Sequence, residues 1–269
     1  MTPTPPRVLS IAGSDSGGGA GIQADLNTCS ALGCFGTTAI TAVTAQNTQG
    51  VRAVHALPAA LVAQQIDAVA EDIGVDAVKI GMLHGPEVVR AVAGALRRHG
   101  LRRVVLDPVM VASSGDRLVT DETVAALRSE LFPLVMLVTP NLDEAAALLG
   151  RPIATVDAMQ AAVPELRALG AQAVLIKGGH LVGDVLSDLL IDPEGSTLWQ
   201  SQRIATRNTH GTGCTLSSAI ACGLARGLAL REAVAQGRDF VRGALQGAAG
   251  WRLGQGPGPL DHGWARHAH

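Results

Sequence analysis

The chain has 269 residues, 47% of them hydrophobic and only 16% charged, enough apolar material for a full buried core. A formal net charge of -2 excludes the basic footprint of a nucleic-acid or anionic-membrane binder, and three Phe, three Trp and no Tyr exclude an aromatic platform for stacking bases. No apolar run reaches the length of a membrane span and Met1–Pro6 lacks the pattern of a leader, so a cytoplasmic protein is expected.

In chain order, Met1–Pro6 reads as a frayed tail and Arg7–Ala12 as a buried strand. A glycine loop, Gly13–Gly21, leads into a helix from Ile22 to about Leu32. Thr37–Ala45 suits a strand, with Gln46–Gly50 as a polar loop at its end. Pro58 opens a helix to about Asp72, as proline at a first helical position often does. Asp76–Ile80 and Arg103–Leu106 read as strands on either side of a helix over Pro86–His99.

The polar loop Ala112–Arg117 is a candidate lid, as is Leu181–Asp184. A helix follows from about Thr120 to Leu131, then a strand over Leu134–Val138. Asp143–Leu149 and Val156–Leu169 read as helices, the second kinked or broken at Pro164. Ala173–Ile176 is a strand, and Asp184–Ile191 with Ser196–Arg203 makes an antiparallel hairpin around Asp192-Pro-Glu-Gly195. Two helices close the chain, about Gly213–Arg226 and Leu230–Ala248, ahead of an irregular tail from Gly254.

Repeated strand–helix alternation predicts one α/β domain with a mostly parallel sheet covered by helices on both faces. In such sheets ligands bind beyond the carboxyl ends of the strands, and the polar motifs fall at that edge. The four cysteines, Cys29, Cys34, Cys214 and Cys222, include no Cys-x-x-Cys pair, so neither a structural zinc site nor a disulfide framework is expected, and Cys222 reads as packing.

The stretch Asn208–Gly223 passes through two glycines into a small-residue helix. Gly211 and Gly213 let backbone approach a ligand, and the free N–H groups of a helix start favour an anion. Cys214 sits on that first turn, where a thiol pKa is expected to fall. A glycine loop before an ordinary buried helix fits the same residues.

The first loop, with Asp15 and Gly17–Gly21, matches neither the Walker lysine loop nor the dinucleotide glycine pattern. It reads as a flexible turn, or as backbone closing over a small substrate with Asp15 accepting a hydrogen bond. Asp107 fits a turn cap or a water-mediated Mg²⁺ contact. Asn141 and Glu144 have capping-box spacing behind Pro140, and would also lie together on a first helical turn facing a metal. Lys177, at the end of an apolar strand, reads as a phosphate ligand or as a snorkelling lysine. The Gln46 amide suits a heteroaromatic edge, while Met82 and Val109 suit either flat ring contact or core packing.

Together the segments Ser10–Asp25, Thr41–Val51, Lys79–Leu83, Val105–Met110, Thr139–Ala145, Lys177–His180 and Asn208–Thr215 resemble, in order, the hydroxymethylpyrimidine/phosphomethylpyrimidine kinases of thiamine biosynthesis. These are members of the ribokinase-like superfamily. The resemblance implies a three-layer α/β/α fold with a late hairpin, ATP and Mg²⁺, and a homodimer. It implies phosphorylation of 4-amino-5-hydroxymethyl-2-methylpyrimidine and then of its monophosphate.

By motif position Gln46 would bind the pyrimidine, with Gly13, Asp15, Ala20, Met82 and Val109 lining its pocket. Asp107, Asn141 and Glu144 would serve the metal, and Lys177, Thr209 and Asp107 the nucleotide. Gly211 and Gly213 would form the anion hole and Cys214 would be the base. Some relatives carry Glu in place of Gln46, and most ribokinase-like sugar kinases carry Asp in place of Cys214. A pyridoxine or pyridoxal kinase on the same scaffold is the alternative enzyme, against which the Ala45–Gly50 loop argues. A non-catalytic pyrimidine-binding regulator is the alternative outside enzymes, and it would be expected to have lost one of these motifs.

Overall fold

The computed structural model of the protein describes residues 4–110, 119–179, 181 and 183–266. The Ala112–Arg117 loop lies outside the described residues, as do His180 of the Lys177–His180 segment and Val182 of the Leu181–Asp184 loop. The first strand, β1 (Arg7–Ala12), is apolar along nearly its whole length and buried, as a central parallel strand must be. It runs through the glycine loop into α1 (Gly21–Ala31). Next come β2 (Phe35–Ile40), β3 (Ala42–Asn47), β4 (Gly50–Ala56) and α2 (Ala59–Asp72).

After these, β5 (Ala77–Ile80), α3 (Pro86–Arg98), β6 (Val104–Leu106) and α4 (Asp121–Ala126) precede β7 (Leu137–Val138). The remaining elements are α5 (Leu142–Leu149), α6 (Val156–Ala161), α7 (Val163–Arg167), β8 (Ala173–Ile176), β9 (Val185–Asp192), β10 (Gly195–Gln202), α8 (Thr212–Ala225) and α9 (Leu230–Gly247).

The main sheet has eight strands in the order β10-β9-β8-β7-β6-β5-β1-β2. From β2 to β8 all neighbours pair parallel, and β9 and β10 close the sheet antiparallel. Strand order reverses at β1, which has β2 on one side and β5 on the other, so a crevice opens between the ends of β1 and β5. The α8 start sits over that crevice. One apolar layer packs α2, α3 and the α4 segment against Leu9, Ile11, Val78 and Ile80. The opposite layer packs α1, α8 and α9 against Val8, Ala77 and Val105. The alternation of side chains along each strand separates the two layers.

Several elements depart from the sequence reading. Thr37–Ala45 is two strands: the chain bends at Thr41, whose N–H bonds Ala12 O at 3.0 Å and whose hydroxyl bonds Met82 O at 2.8 Å. Gln46 and Asn47 belong to β3, which pairs with β4 in a separate two-stranded sheet, with a register shift between Ala45 and Gln46. The Thr120–Leu131 helix stays α-helical only to Ala126, widens over Leu127–Leu131 and tightens at Phe132–Leu134. The strand ahead of Thr139 is only Leu137–Val138, and the Pro164 segment is two helices broken at Ala162.

The tail from Gly254 has no helix or strand up to Pro259, yet it is pinned. Arg207 donates to the carbonyls of Gly254 and Gly256, at 2.8 and 3.0 Å, and His210 N donates to Gly258 O at 3.0 Å. Leu260, Asp261 and His262 are buried, and a short 3₁₀ turn follows at Trp264–Arg266.

Candidate active site at the carboxyl edge of the sheet

The carboxyl ends of β1, β5, β6, β7 and β8 deliver the glycine loop, Met82, Asp107, Asn141 and Lys177 to one edge of the sheet. The turn before α8 closes over them. Gly211 takes φ 87°, and a Cβ there would overlap the Gly19 carbonyl oxygen, so only glycine lets this turn lie backbone-to-backbone on the first loop. At Gly213 a Cβ would stand 3.2 Å from both Asp107 Oδ2 and Lys177 Nζ, which places these two side chains directly at the helix start.

Lys177 Nζ donates to Asp107 Oδ1 at 2.6 Å and lies 3.8 Å from Glu144 Oε2. Asp107 also accepts from the Thr139 hydroxyl at 3.2 Å. Burial alone would lower the Lys177 pKa, but Asp107 and Glu144 hold it above its ordinary value. Burial pushes the Glu144 carboxyl up to about 7, against the pull of Lys177 and with the added push of Asp107. One ammonium thus faces two carboxylates. Asp107 is the nearer, so Glu144 is the group that tends to keep its proton.

The capping-box reading of Asn141 and Glu144 is realised. Asn141 Oδ1 accepts from Glu144 N at 2.8 Å and Glu144 Oε2 accepts from Asn141 N at 2.7 Å. Among the described residues no group of three or more His, Cys, Asp or Glu side chains is placed to hold a metal by itself. Asp107 and Glu144 nevertheless flank Lys177 closely, which fits a hydrated Mg²⁺ held largely by nucleotide phosphates.

At the first loop Gly13 lies against the Met82 side chain, and Ser14 is keyed to β3 by Ser14 N to Ala42 O at 2.9 Å and Thr44 N to Ser14 Oγ at 3.1 Å. Gln46 follows on the same strand, partly exposed, its N–H donating to Ser16 Oγ at 2.7 Å. Ala20, Met82 and Val109 are each partly exposed at this edge.

Asp15, expected to line the substrate pocket, is held by groups of the first loop and by His210. It is 1% exposed and accepts from the N–H groups of Gly17, Gly19 and Ala20 at 2.8, 3.1 and 2.9 Å, and contacts His210 Nε2 at 2.8 Å. Burial would raise its pKa, but the His210 and backbone hydrogen bonds hold it below the usual carboxylate range. Asp15 shapes the glycine loop and ties it to the α8 turn. Thr209 is exposed on that turn, and its carbonyl accepts from Thr212 N at 3.2 Å.

Cys214 lies on the first turn of α8 as expected, partly exposed, but its titration runs opposite to the sequence expectation. Burial pushes the thiol up to about 11; Lys79 and the Gly21 N–H pull it down, while Asp25 and Asp107 push it further up. Desolvation outweighs the pull of Lys79 and of the Gly21 N–H, so the thiol is the main form at neutral pH in the nucleotide-free protein.

Sequence reading passed over one pair in this neighbourhood. Lys79 and Asp25 form a 2.8 Å ion pair with side chains 0% and 1% exposed. The available signal was a lysine inside an apolar strand, facing the same layer as Ala77.

Fold and site together match a ribokinase-like small-molecule kinase, with a glycine loop and the start of α8 meeting Lys177 and Asp107 at the carboxyl edge of the sheet. A model of the phosphomethylpyrimidine kinase family matches residues 15–261. The hydroxymethylpyrimidine/phosphomethylpyrimidine kinase of Rhizobium meliloti is 54% identical over 255 residues, covering 94% of this chain and 96% of the relative. The Escherichia coli protein of the same name is 48% identical over 257 residues, covering 95% and 97%.

Among solved structures, a Bacillus subtilis pyridoxal kinase in complex with ADP superposes with a TM-score of 0.90 at 37% identity, covering 98% of this chain and 99% of that one. The Clostridium difficile phosphomethylpyrimidine kinase superposes at 0.79 with 42% identity, covering 89% and 99%. The chain belongs to the phosphomethylpyrimidine kinase family, whose members are phosphotransferases. No helix among the described residues is long and apolar enough to cross a membrane.

Proposed function

We propose that the protein transfers the γ-phosphoryl group of ATP to 4-amino-5-hydroxymethyl-2-methylpyrimidine, and then to the resulting monophosphate. The observation that carries this is the convergence of Lys177, Asp107 and Gly213 at the start of α8, opposite the Gly13–Ala20 loop and Gln46. The high identity to hydroxymethylpyrimidine/phosphomethylpyrimidine kinases favours the pyrimidine over a pyridoxal-type acceptor.

In this reading Gln46 meets the aminopyrimidine edge, while Gly13, Ala20, Met82 and Val109 form the walls. Lys177 has two further donors beyond the Asp107 bond, enough to reach a phosphate oxygen without giving up its partner. The Gly211–Gly213 turn and Thr209 receive the phosphates at the helix start. Mg²⁺ bound with the nucleotide would lie near Asp107, Asn141 and Glu144 and would supply charge neutralisation on the phosphates.

The acceptor oxygen forms its bond to the γ-phosphorus as the bond to ADP breaks, and the hydroxymethyl proton passes late to Cys214 in its ionised form, which is the minor form in the nucleotide-free protein. The second acceptor is a phosphate monoester whose second pKa is near ~6, so at neutral pH it attacks already deprotonated. Cys214 is therefore needed for the first transfer and dispensable for the second.

One kinase domain accounts for the whole chain in this reading. A second copy is its partner, docking on the two-stranded β3–β4 sheet, which leaves Val43 48% and Val54 36% exposed. The four free cysteines suit the reducing cytoplasm. The test is product analysis by mass with ATP-Mg²⁺ and the hydroxymethylpyrimidine, against pyridoxine in parallel. Monophosphate that rises and then falls into diphosphate is the expected result. Preferential phosphorylation of pyridoxine would overturn the assignment.

A further inference from the structure

Beneath the first turn of α8 lies a charged network that the mechanism above does not use. Lys79, on β5, faces the α1–α8 layer, as strand alternation from Ala77 requires. Asp25, on α1, accepts from Lys79 Nζ at 2.8 Å and from Ser10 Oγ at 2.5 Å through Oδ2, and from Ser218 Oγ at 2.7 Å through Oδ1. Ser10 and Lys79 are direct partners across β1 and β5. Ser218 stands one helical turn after Cys214 on the same side of α8, so the face carrying the thiol is the face turned onto the pair.

Such a pair is not retained cheaply in a sealed interior. Two charges removed from water gain little over a well-packed apolar pair of similar volume. On this face of the sheet Ala77 and Val105 are apolar, and the hydroxyls of Ser10 and Ser218 complete the surroundings of the pair. Its ammonium is held above the ordinary lysine range: burial lowers it, while Asp25, Cys214 and Asp107 raise it. The charge is therefore permanent at any pH at which the enzyme works.

We infer that Lys79, anchored by Asp25 through α1 and clamped to α8 through Ser218, is a positioning residue that supplies fixed positive charge beneath Cys214. It offsets the desolvation of the thiolate that accepts the hydroxymethyl proton, and Asp25 keeps the ammonium in place. The groups facing the thiol are Lys79 from β5, Asp25 from α1 and Asp107 after β6, together with the Gly21 N–H. Lys177 is a second cation close by, on the cleft side at Gly213, whereas Lys79 lies on the sealed side under α8. The inference rests on Cys214 as base for its catalytic meaning, but the charge effect on the thiol is measurable without turnover.

The experiment follows alkylation of Cys214 by iodoacetamide at mildly alkaline pH in the nucleotide-free folded protein. Peptide mass identifies the site, and Cys29, Cys34 and Cys222 are buried to 7% exposure or less. The proteins are wild type, Lys79→Met and the double variant Lys79→Met/Asp25→Asn, which leaves no unpaired buried charge.

Loss of an opposite charge at close range moves a pKa by roughly 1–3 units, so Lys79→Met should react about tenfold or more slowly. The double variant should fall between the single variant and wild type, since the push of Asp25 goes with the pull of Lys79. A purely structural role predicts the reverse sign, because loosening the α8 turn exposes the thiol and speeds alkylation. Equal or faster alkylation in the double variant overturns the assignment even if Lys79→Met does not fold. Slower alkylation with unchanged turnover on the alcohol keeps Lys79 in its role and removes Cys214 as the base.

Discussion

Among the described residues two lysine–aspartate pairs lie close to one helix start, and they are built for different ends. Lys79–Asp25 is sealed, with side chains 0% and 1% exposed, and each carboxylate oxygen is occupied from within the fold. Lys177–Asp107 opens to the cleft, with Lys177 14% exposed and a second carboxylate, Glu144, 3.8 Å away. A sealed pair cannot change partners, so its charge acts as a constant. An open pair can share its cation with an arriving phosphate, so its charge is available to chemistry. The same two residue types thus serve position in one case and ligand in the other, with access to the cleft deciding between them.

The largest test of that contrast is stability. Lys79→Met should cost about 3–5 kcal/mol in denaturant unfolding, because Asp25 is left charged and unpaired in a dry layer. Lys177→Met should cost less, since the Lys177 side chain is 14% exposed and water from the cleft can replace its ammonium beside Asp107. Equal losses would erase the distinction between the pairs.

Turnover should show the opposite order. Lys177→Met removes a preorganised donor at the phosphate end, and kcat should fall about 10²–10³-fold with little change in KM for the pyrimidine. Steady-state kinetics on both substrates checks this.

The smallest effect is in the pH dependence. Glu144 has its folded pKa raised from 4.5 to about 7, so the folded state holds a proton that the unfolded chain gives up between those values. Its contribution to stability is full below pH 4.5 and lost as pH rises through about 7. Glu144→Gln should flatten the stability curve in that window relative to wild type. A curve that keeps the wild-type slope would show that the carboxyl is not held protonated.

Much of this was legible in the sequence, for physical reasons that differ by region. The strands β1, β5, β6 and β8 were marked by short apolar runs ending in Gly, Asp or Lys, and α5 by its capping spacing. The β3–β4 hairpin was hidden because Thr41, an ordinary strand residue, turns the chain off through bonds to Ala12 and Met82 that no local pattern announces.

The surroundings of Asp15 and the titration of Cys214 were hidden for a related reason. Asp15 near a glycine loop looks like a ligand until its His210 partner, far away in the chain, is brought beside it. The Cys214 titration follows from burial, which a helix-start argument does not include. Lys79–Asp25 joins residues 54 positions apart, a pairing that only the fold reveals.

The account's central claim is that one helix start combines an anion cradle with a base that only the alcohol needs. The most direct test is Cys214→Ala assayed side by side on the hydroxymethylpyrimidine and on its monophosphate. The account predicts a loss of up to about 10²–10⁴-fold on the alcohol and a much smaller loss on the monophosphate. Equal losses on the two acceptors would contradict it.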